Sequence, residues 1–158
     1  MIYAILKSEM RETIQRGLSY YSISLVEEQL DHLCFYTAEL VKWNSRINLT
    51  GIKDAQAIIQ ELLFDSFFLS THVSGEHTII DLGSGSGILG IPLAILNREN
   101  AIYSIDKSLR KIQFQRHIKR MVNLSRFSAL HGRAEDIEPL NADFLAAKAF
   151  GGSREILD

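Results

Sequence analysis

The apolar positions of this chain change their period partway along it. Leu25, Leu30, Leu33, Tyr36, Leu40 and Trp43 recur at helical spacing and mark one face of a long helix. Ser24 stands before that face with Glu27 and Glu28 behind it, which predicts Ser24 as N-cap and Glu27 as its capping-box partner. A second helix is predicted from about Asp54, as its cap, through Phe68. Between them, the stretch from Trp43 to Gly51 is polar and turn-rich and predicts a loop. Residues 1 to about 72 hold two glycines and no proline, so an N-terminal helical segment is expected over 1–72 and a second unit over 73–158.

From His77 onward, short apolar runs alternate with amphipathic stretches. Strands are predicted at Thr78–Leu82, Ala101–Ile105, Phe127–Leu130 and Asp143–Ala147. Helices are predicted at Ile88–Leu96 and Ser108–Met121, the first with Pro92 in its opening turns, where a missing N–H is tolerated. Strand–helix alternation of this kind predicts an α/β fold with a parallel sheet and right-handed crossovers. No internal repeat interrupts it.

Composition narrows the picture. At 158 residues the chain is long enough for one compact domain with a real core, and 46% apolar with 23% charged residues is ordinary for a soluble globular protein. Lys+Arg 17 against Asp+Glu 19 gives a net charge of −2, which excludes a basic-tail nucleic-acid binder but leaves local patches open. The single cysteine, Cys34, excludes a disulfide framework and a cysteine metal cluster and points to a reducing compartment. Met1 to Leu6 is apolar but short, and Lys7, Glu9, Arg11 and Glu12 follow at once, so neither a signal peptide nor a membrane span is read and a cytoplasmic protein is expected. Without a secretory signal, Asn48-Leu49-Thr50 is not read as a glycosylation site.

The chemistry-bearing motif is Asp81-Leu82-Gly83-Ser84-Gly85-Ser86-Gly87, between a strand and a helix. Glycines at alternate positions let the backbone turn sharply and come close to a ligand. Asp106 ends the next strand, where a carboxylate can accept both hydroxyls of a ribose. Together these imply a nucleoside-bearing cofactor. Gly85-x-Gly87-x-x-Gly90 also fits the dinucleotide fingerprint, but the extra glycine and the preceding Asp81 suit S-adenosylmethionine, which has no pyrophosphate. A structural turn is the third reading, with Asp106 merely capping the helix after it.

Further stretches resemble one family closely, the 16S rRNA guanine-N7 methyltransferases, also called the glucose-inhibited division protein B family. They are Trp43-Asn44 with Asn48-Leu49-Thr50, Phe64-Asp65-Ser66, the segment from Ile80 through the glycines to Gly90-Ile91-Pro92-Leu93-Ala94, Ile105-Asp106-Lys107-Ser108 with Lys111 and Phe114, Gly132-Arg133-Ala134-Glu135, and Lys148-Ala149-Phe150. The resemblance covers roughly Leu33 to Leu157. It implies a Rossmann-like class I S-adenosylmethionine-dependent methyltransferase sheet of strand order 3-2-1-4. It also implies methyl transfer from S-adenosylmethionine to guanine N7, with 16S rRNA or the small ribosomal subunit as partner. Carried over by position, Gly83, Gly85, Gly87 and Ile88 would hold the methionine moiety, Asp106 the ribose, and Ala134 and Glu135 the adenine. Lys148 stands where the family usually has arginine, exchanging a planar fork for a point charge.

Two other places in the chain depart from the family pattern. Ile88-Leu89-Gly90 lacks the proline usual before the glycine, and Leu62 replaces a histidine. Members also continue past the end of this chain with further strands. The alternative expectation is therefore a truncated, catalytically impaired member that binds S-adenosylmethionine or rRNA only, with an exposed fourth strand open to self-association. A dinucleotide-binding oxidoreductase is the more distant alternative.

Guanine N7 carries a free in-plane lone pair, so no general base and no catalytic residue is nominated; Asp81 and Glu135 are read as positioning groups. From Lys107 to Arg126 there are seven basic residues (Lys107, Arg110, Lys111, Arg116, Lys119, Arg120 and Arg126) and no acidic one, a candidate phosphate-contacting surface. His32, His72, His77 and His131 lack metal-ligand spacing and are read as surface or loop residues; Cys34 is read as core and Trp43 as a packing anchor.

Overall fold

The computed structural model describes residues 2–137 and 140–148; Ala149-Phe150 and the rest of the resemblance to Leu157 lie outside the described residues. The chain opens with two antiparallel-connected helices, α1 (Ile2–Tyr20) and α2 (Glu27–Ile47). Met10, Thr13, Ile14 and Leu18 form the buried stripe of α1, and Leu30, Leu33, Tyr36, Thr37 and Leu40 that of α2. Gly17 admits the Phe64 ring where any side chain would collide with it.

Two local expectations are corrected here. The N-cap of α2 is Val26, not Ser24: Gln29 Oε1 accepts the Val26 N–H at 3.2 Å, while Glu27 is drawn to Arg11 on α1. The stretch from Trp43 to Ile47 is helical, not loop, and α2 ends only where Asn48 turns left-handed at φ 49°. Asn44 then orders the loop from the helix side. Its Oδ1 accepts the Thr50 N–H at 2.8 Å and its Nδ2 donates to Ile52 O at 2.6 Å, while Leu49 is buried. This accounts physically for the Trp-Asn…Asn-Leu-Thr segment.

The second helix starts as predicted, with Asp54 Oδ1 accepting the Ala57 N–H at 2.8 Å. It comprises α3 (Ala55–Ala57), a π-helical stretch (Ile58–Leu63) and α4 (Phe64–Ser70). The sheet follows as β1 (Thr78–Leu82), α5 (Gly90–Leu96), β2 (Ala101–Asp106), α6 (Leu109–Met121), β3 (Phe127–His131), a 3₁₀ turn (Ala134–Asp136) and β4 (Phe144–Ala147). Every pair is parallel, as the strand–helix alternation predicts, and the strand order β3-β2-β1-β4 is the one the family resemblance implies. α2 packs across α5 and α6, and one hydrophobic core runs from Met10 through Tyr36 and Ile91 to Ala129. No helix among the described residues is long and apolar enough to cross a membrane.

Candidate cofactor site

In a parallel sheet the residues after each strand stand along one edge. That edge collects the glycine loop after β1, Asp106 at the end of β2, Ala134 and Glu135 after β3, and Lys148 after β4.

The glycine loop is built from its backbone. Gly83, Gly85 and Gly87 all adopt left-handed φ values, 61°, 58° and 75°, which L side chains rarely take. Its peptide groups are held by distant elements. The Ser84 N–H donates to Ile105 O at 3.0 Å and the Gly85 N–H to Asp106 Oδ2 at 2.8 Å. The Tyr36 hydroxyl donates to Ser86 O at 3.3 Å, and the Ser66 hydroxyl to Ile88 O. Gln115 Nε2 donates to Ser84 Oγ and Gly85 O, both at 2.8 Å. Burial pushes the Tyr36 phenol well above its ordinary value, so it is a neutral donor here.

Two carboxylates serve this loop. Asp106 is 8% exposed; besides the Gly85 bond to Oδ2, its Oδ1 accepts the Ser108 N–H at 2.7 Å, which braces the turn leading into α6. Asp81 is 2% exposed and accepts from the Gly90 N–H at 3.0 Å and the Ser104 hydroxyl at 3.4 Å. Burial pushes its carboxyl up to about 7, with Asp106 adding to the rise and the two donors opposing it.

The remaining predicted positions are more open. Ala134 is half-buried, while Glu135 is exposed and faces Arg133 at 3.6 Å. Lys148 Nζ donates to Glu61 O at 2.9 Å, a carbonyl of the π-helical stretch, and pairs with the Asp65 carboxylate. Residues 83, 85, 87, 88 and 106 are thus drawn together directly, and 134, 135 and 148 lie along the same strand ends. Sequence reasoning missed Gln115 and Tyr36 as loop partners. The available signal for Gln115 is a polar residue inside the apolar stripe Ile112, Phe114, Ile118.

The basic stretch divides. Arg116 donates from Nε and Nη2 to Ala129 O at 3.1 and 3.0 Å, and Arg126 pairs with Glu76 at 2.7 Å. The side chains of Lys107, Arg110, Lys111, Lys119 and Arg120 have no ion pair or hydrogen-bond partner among the described residues. On the side of α6 facing α2, Trp43 stacks on His117 at 5.3 Å and packs against Phe114 at 5.4 Å, the predicted anchor. Burial works to raise the Glu39 carboxyl there, but bonds from Lys42, His117 and Trp43 outweigh it and bring it below its usual value. Among the described residues no His, Cys, Asp and Glu group is placed to hold a metal.

Comparison with known proteins agrees with this architecture. A coclaurine N-methyltransferase crystallised with N-methylheliamine and SAH superposes with a TM-score of 0.53 at 19% identity, covering 92% of this chain and 49% of that one; this likeness shows the fold alone. The ribosomal RNA small subunit methyltransferase G of Geobacter metallireducens is 35% identical over 145 residues, 90% of this chain. Its Vibrio campbellii counterpart is 30% identical over 152 residues, covering 96% of this chain and 72% of its own length. The chain spans 66% of the length of the Geobacter relative. The profile described as GidB, rRNA small subunit methyltransferase G, matches residues 29–158. Both the Trp43–Thr50 turn and the glycine loop fall within that match, and on these grounds the chain belongs to the rRNA small subunit methyltransferase G family.

Proposed function

We propose that this chain transfers a methyl group from S-adenosylmethionine to N7 of a guanine in small-subunit (16S) ribosomal RNA, in the cytoplasm. One observation carries the reading: a left-handed glycine loop lies 2.8 Å from a buried carboxylate at the strand ends, in a chain of this family.

The residues fit the cofactor. A Cβ built on Gly85 meets nothing nearer than Gly83 O at 3.9 Å, so ligand atoms have room where a side chain would stand. Each Asp106 oxygen accepts one backbone N–H, leaving lone pairs on both for the two hydroxyls of a ribose. Gly83, Gly85, Gly87 and Ile88 would hold the methionine end through their backbone, and Ala134 and Glu135 would border the adenine. Lys148, tied to Asp65, would place a cation at the rim of the crevice.

When bound, S-adenosylmethionine supplies an electrophilic methyl on a sulfonium. Guanine N7 needs no proton removed, so this reading assigns no general base. The work of the chain is alignment. Asp81, behind the loop on Gly90 and Ser104, shapes that loop and moves no proton. N7 lies on the major-groove edge, which A-form RNA closes to side chains, so the target guanine must be unstacked or outside a helix. The five unpaired cations on and beside α6 would meet RNA phosphates. The reading also includes self-association through β4, an edge strand among the described residues, with Phe144 39% and Leu145 48% exposed.

The test is incubation of the chain with 16S rRNA, and separately with small ribosomal subunits, plus labelled S-adenosylmethionine, followed by nucleoside mass spectrometry. 7-Methylguanosine at a single position supports the proposal. Binding without methylation would favour the binding-only alternative, and no uptake of cofactor or product would overturn the reading.

A further inference from the structure

We propose that Gln115 is a positioning residue for the cofactor loop; the inference rests on the reading of the crevice as an S-adenosylmethionine site. Of the four buried residues of α6, three are the apolar Ile112, Phe114 and Ile118, and the fourth is Gln115, with 0% exposure. Burying an amide in such a stripe is costly unless it is bonded. The amide is turned so that Nε2 gives one hydrogen to Ser84 Oγ and the other to Gly85 O, each at 2.8 Å. Gly85 O can only accept, which fixes the orientation of the amide.

Gly85 is therefore held at both of its backbone groups by side chains from elsewhere. Its N–H is on Asp106 of β2 and its C=O on Gln115 of α6. A glycine at φ 58° has no side chain to restrain it, so these two bonds set the two peptide planes on either side of Gly85, next to the ribose-facing carboxylate. At Gly87 a Cβ would meet Ile91 Cδ1 at 2.7 Å and Cγ1 at 2.9 Å, with Gln115 Cδ next at 3.2 Å, so Ile91 and the left-handed backbone select glycine there and Gln115 adds a lesser contact.

Stability alone does not explain the residue. Its Oε1 is buried with no hydrogen-bond partner among the described residues, a cost that an apolar residue of similar length would avoid. An amide kept at that cost, and spent entirely on the loop, preorganises the loop for its ligand.

Gln115→Met keeps the length and removes both donated bonds; Ser84→Ala removes one acceptor only. S-adenosylhomocysteine is titrated calorimetrically into the 158-residue chain and both variants, with thermal melts alongside. Where methylation is measurable, KM for S-adenosylmethionine is compared with kcat. Expected is a Kd about tenfold weaker in Q115M, the size of one to two net hydrogen bonds, with Tm within a few degrees of the parent. S84A loses less, and the cofactor KM rises while kcat holds. A Q115M Kd within about twofold of the parent overturns the proposal, as does affinity loss accompanied by a large fall in Tm, which marks a structural residue. If Q115M does not fold, S84A decides, and an unchanged Kd there overturns it. A parent chain that takes up no S-adenosylhomocysteine sinks the reading of the crevice itself, whereas equal binding by parent and variants sinks only the role of Gln115.

Discussion

Asp81 Oδ2 accepts the Gly90 N–H at 3.0 Å, and a Cβ on Gly90 would stand 3.1 Å from that same oxygen and 2.5 Å from Ser104 Oγ. The glycine is required by packing between β1, β2 and α5. Gly90→Ala is expected to cost about 2–4 kcal/mol, from overpacking plus a strained buried hydrogen bond. Urea unfolding measures it, and a loss under about 0.5 kcal/mol would contradict this account of Gly90.

The buried Asp81 carboxyl makes stability depend on pH in the opposite sense to a salt-bridged aspartate. Its folded-state pKa is raised from 3.8 to about 7, so the folded chain holds the proton more tightly than the unfolded chain. Its contribution is complete below about pH 4 and is lost as pH rises through 7, by at most about 4 kcal/mol. The difference in unfolding free energy between parent and Asp81→Asn should therefore change between pH 4 and 8, with the parent losing ground as pH rises. A pH-independent difference would falsify the assignment.

Asp106 has a structural and a ligand-facing task, and substitution separates them. Asp106→Ala leaves the Gly85 and Ser108 N–H groups without acceptors, an expected cost of about 1–2 kcal/mol in stability. S-adenosylhomocysteine affinity is expected to fall tenfold or more. Asp106→Asn, which keeps one acceptor oxygen, should be intermediate. Parent-like affinity in the alanine variant rules out the ribose contact.

The unpaired cations of α6 predict a salt signature. For single-stranded RNA, log K should fall with log salt by about 0.7 per phosphate neutralised, so Arg110→Ala with Arg120→Ala should flatten the slope by about 1.4. S-adenosylhomocysteine affinity should be unchanged in the pair. An unaltered slope in filter-binding or anisotropy titrations across a salt series would show that this helix face does not meet phosphate.

β4 is an edge strand among the described residues, and the self-association proposed for it would be concentration-dependent. Light scattering on the parent should show mass rising with concentration, and Phe144→Lys with Leu145→Lys should suppress it. A monodisperse monomer at high concentration is the contrary result.

Much of the fold is legible in the sequence. Buried parallel strands are short continuous apolar runs, so Thr78–Leu82 was read to the residue and the other strands within one residue at either end. The alternating glycines needed no tertiary context either, because left-handed turns select glycine locally. The Asp54 cap is equally local.

What the amino-acid order determined by itself was therefore whatever depends on neighbours a few positions away: periodicity, turn chemistry, and the strand–helix alternation that implies a parallel sheet, while the 3-2-1-4 order came with the family resemblance. Only the tertiary structure decided where α2 begins, because Arg11 takes Glu27 from the cap and leaves Gln29 to close it. It alone joined Tyr36 to Ser86, Gln115 to Ser84 and Gly85, and Lys148 to Asp65. Those pairs lie 30 to 83 residues apart in the chain, and no periodic pattern encodes a partner at such a distance. The packing of helices against the sheet brings them within hydrogen-bond reach, and for Tyr36 and Gln115 burial then makes the polar group find the partner that packing has placed beside it.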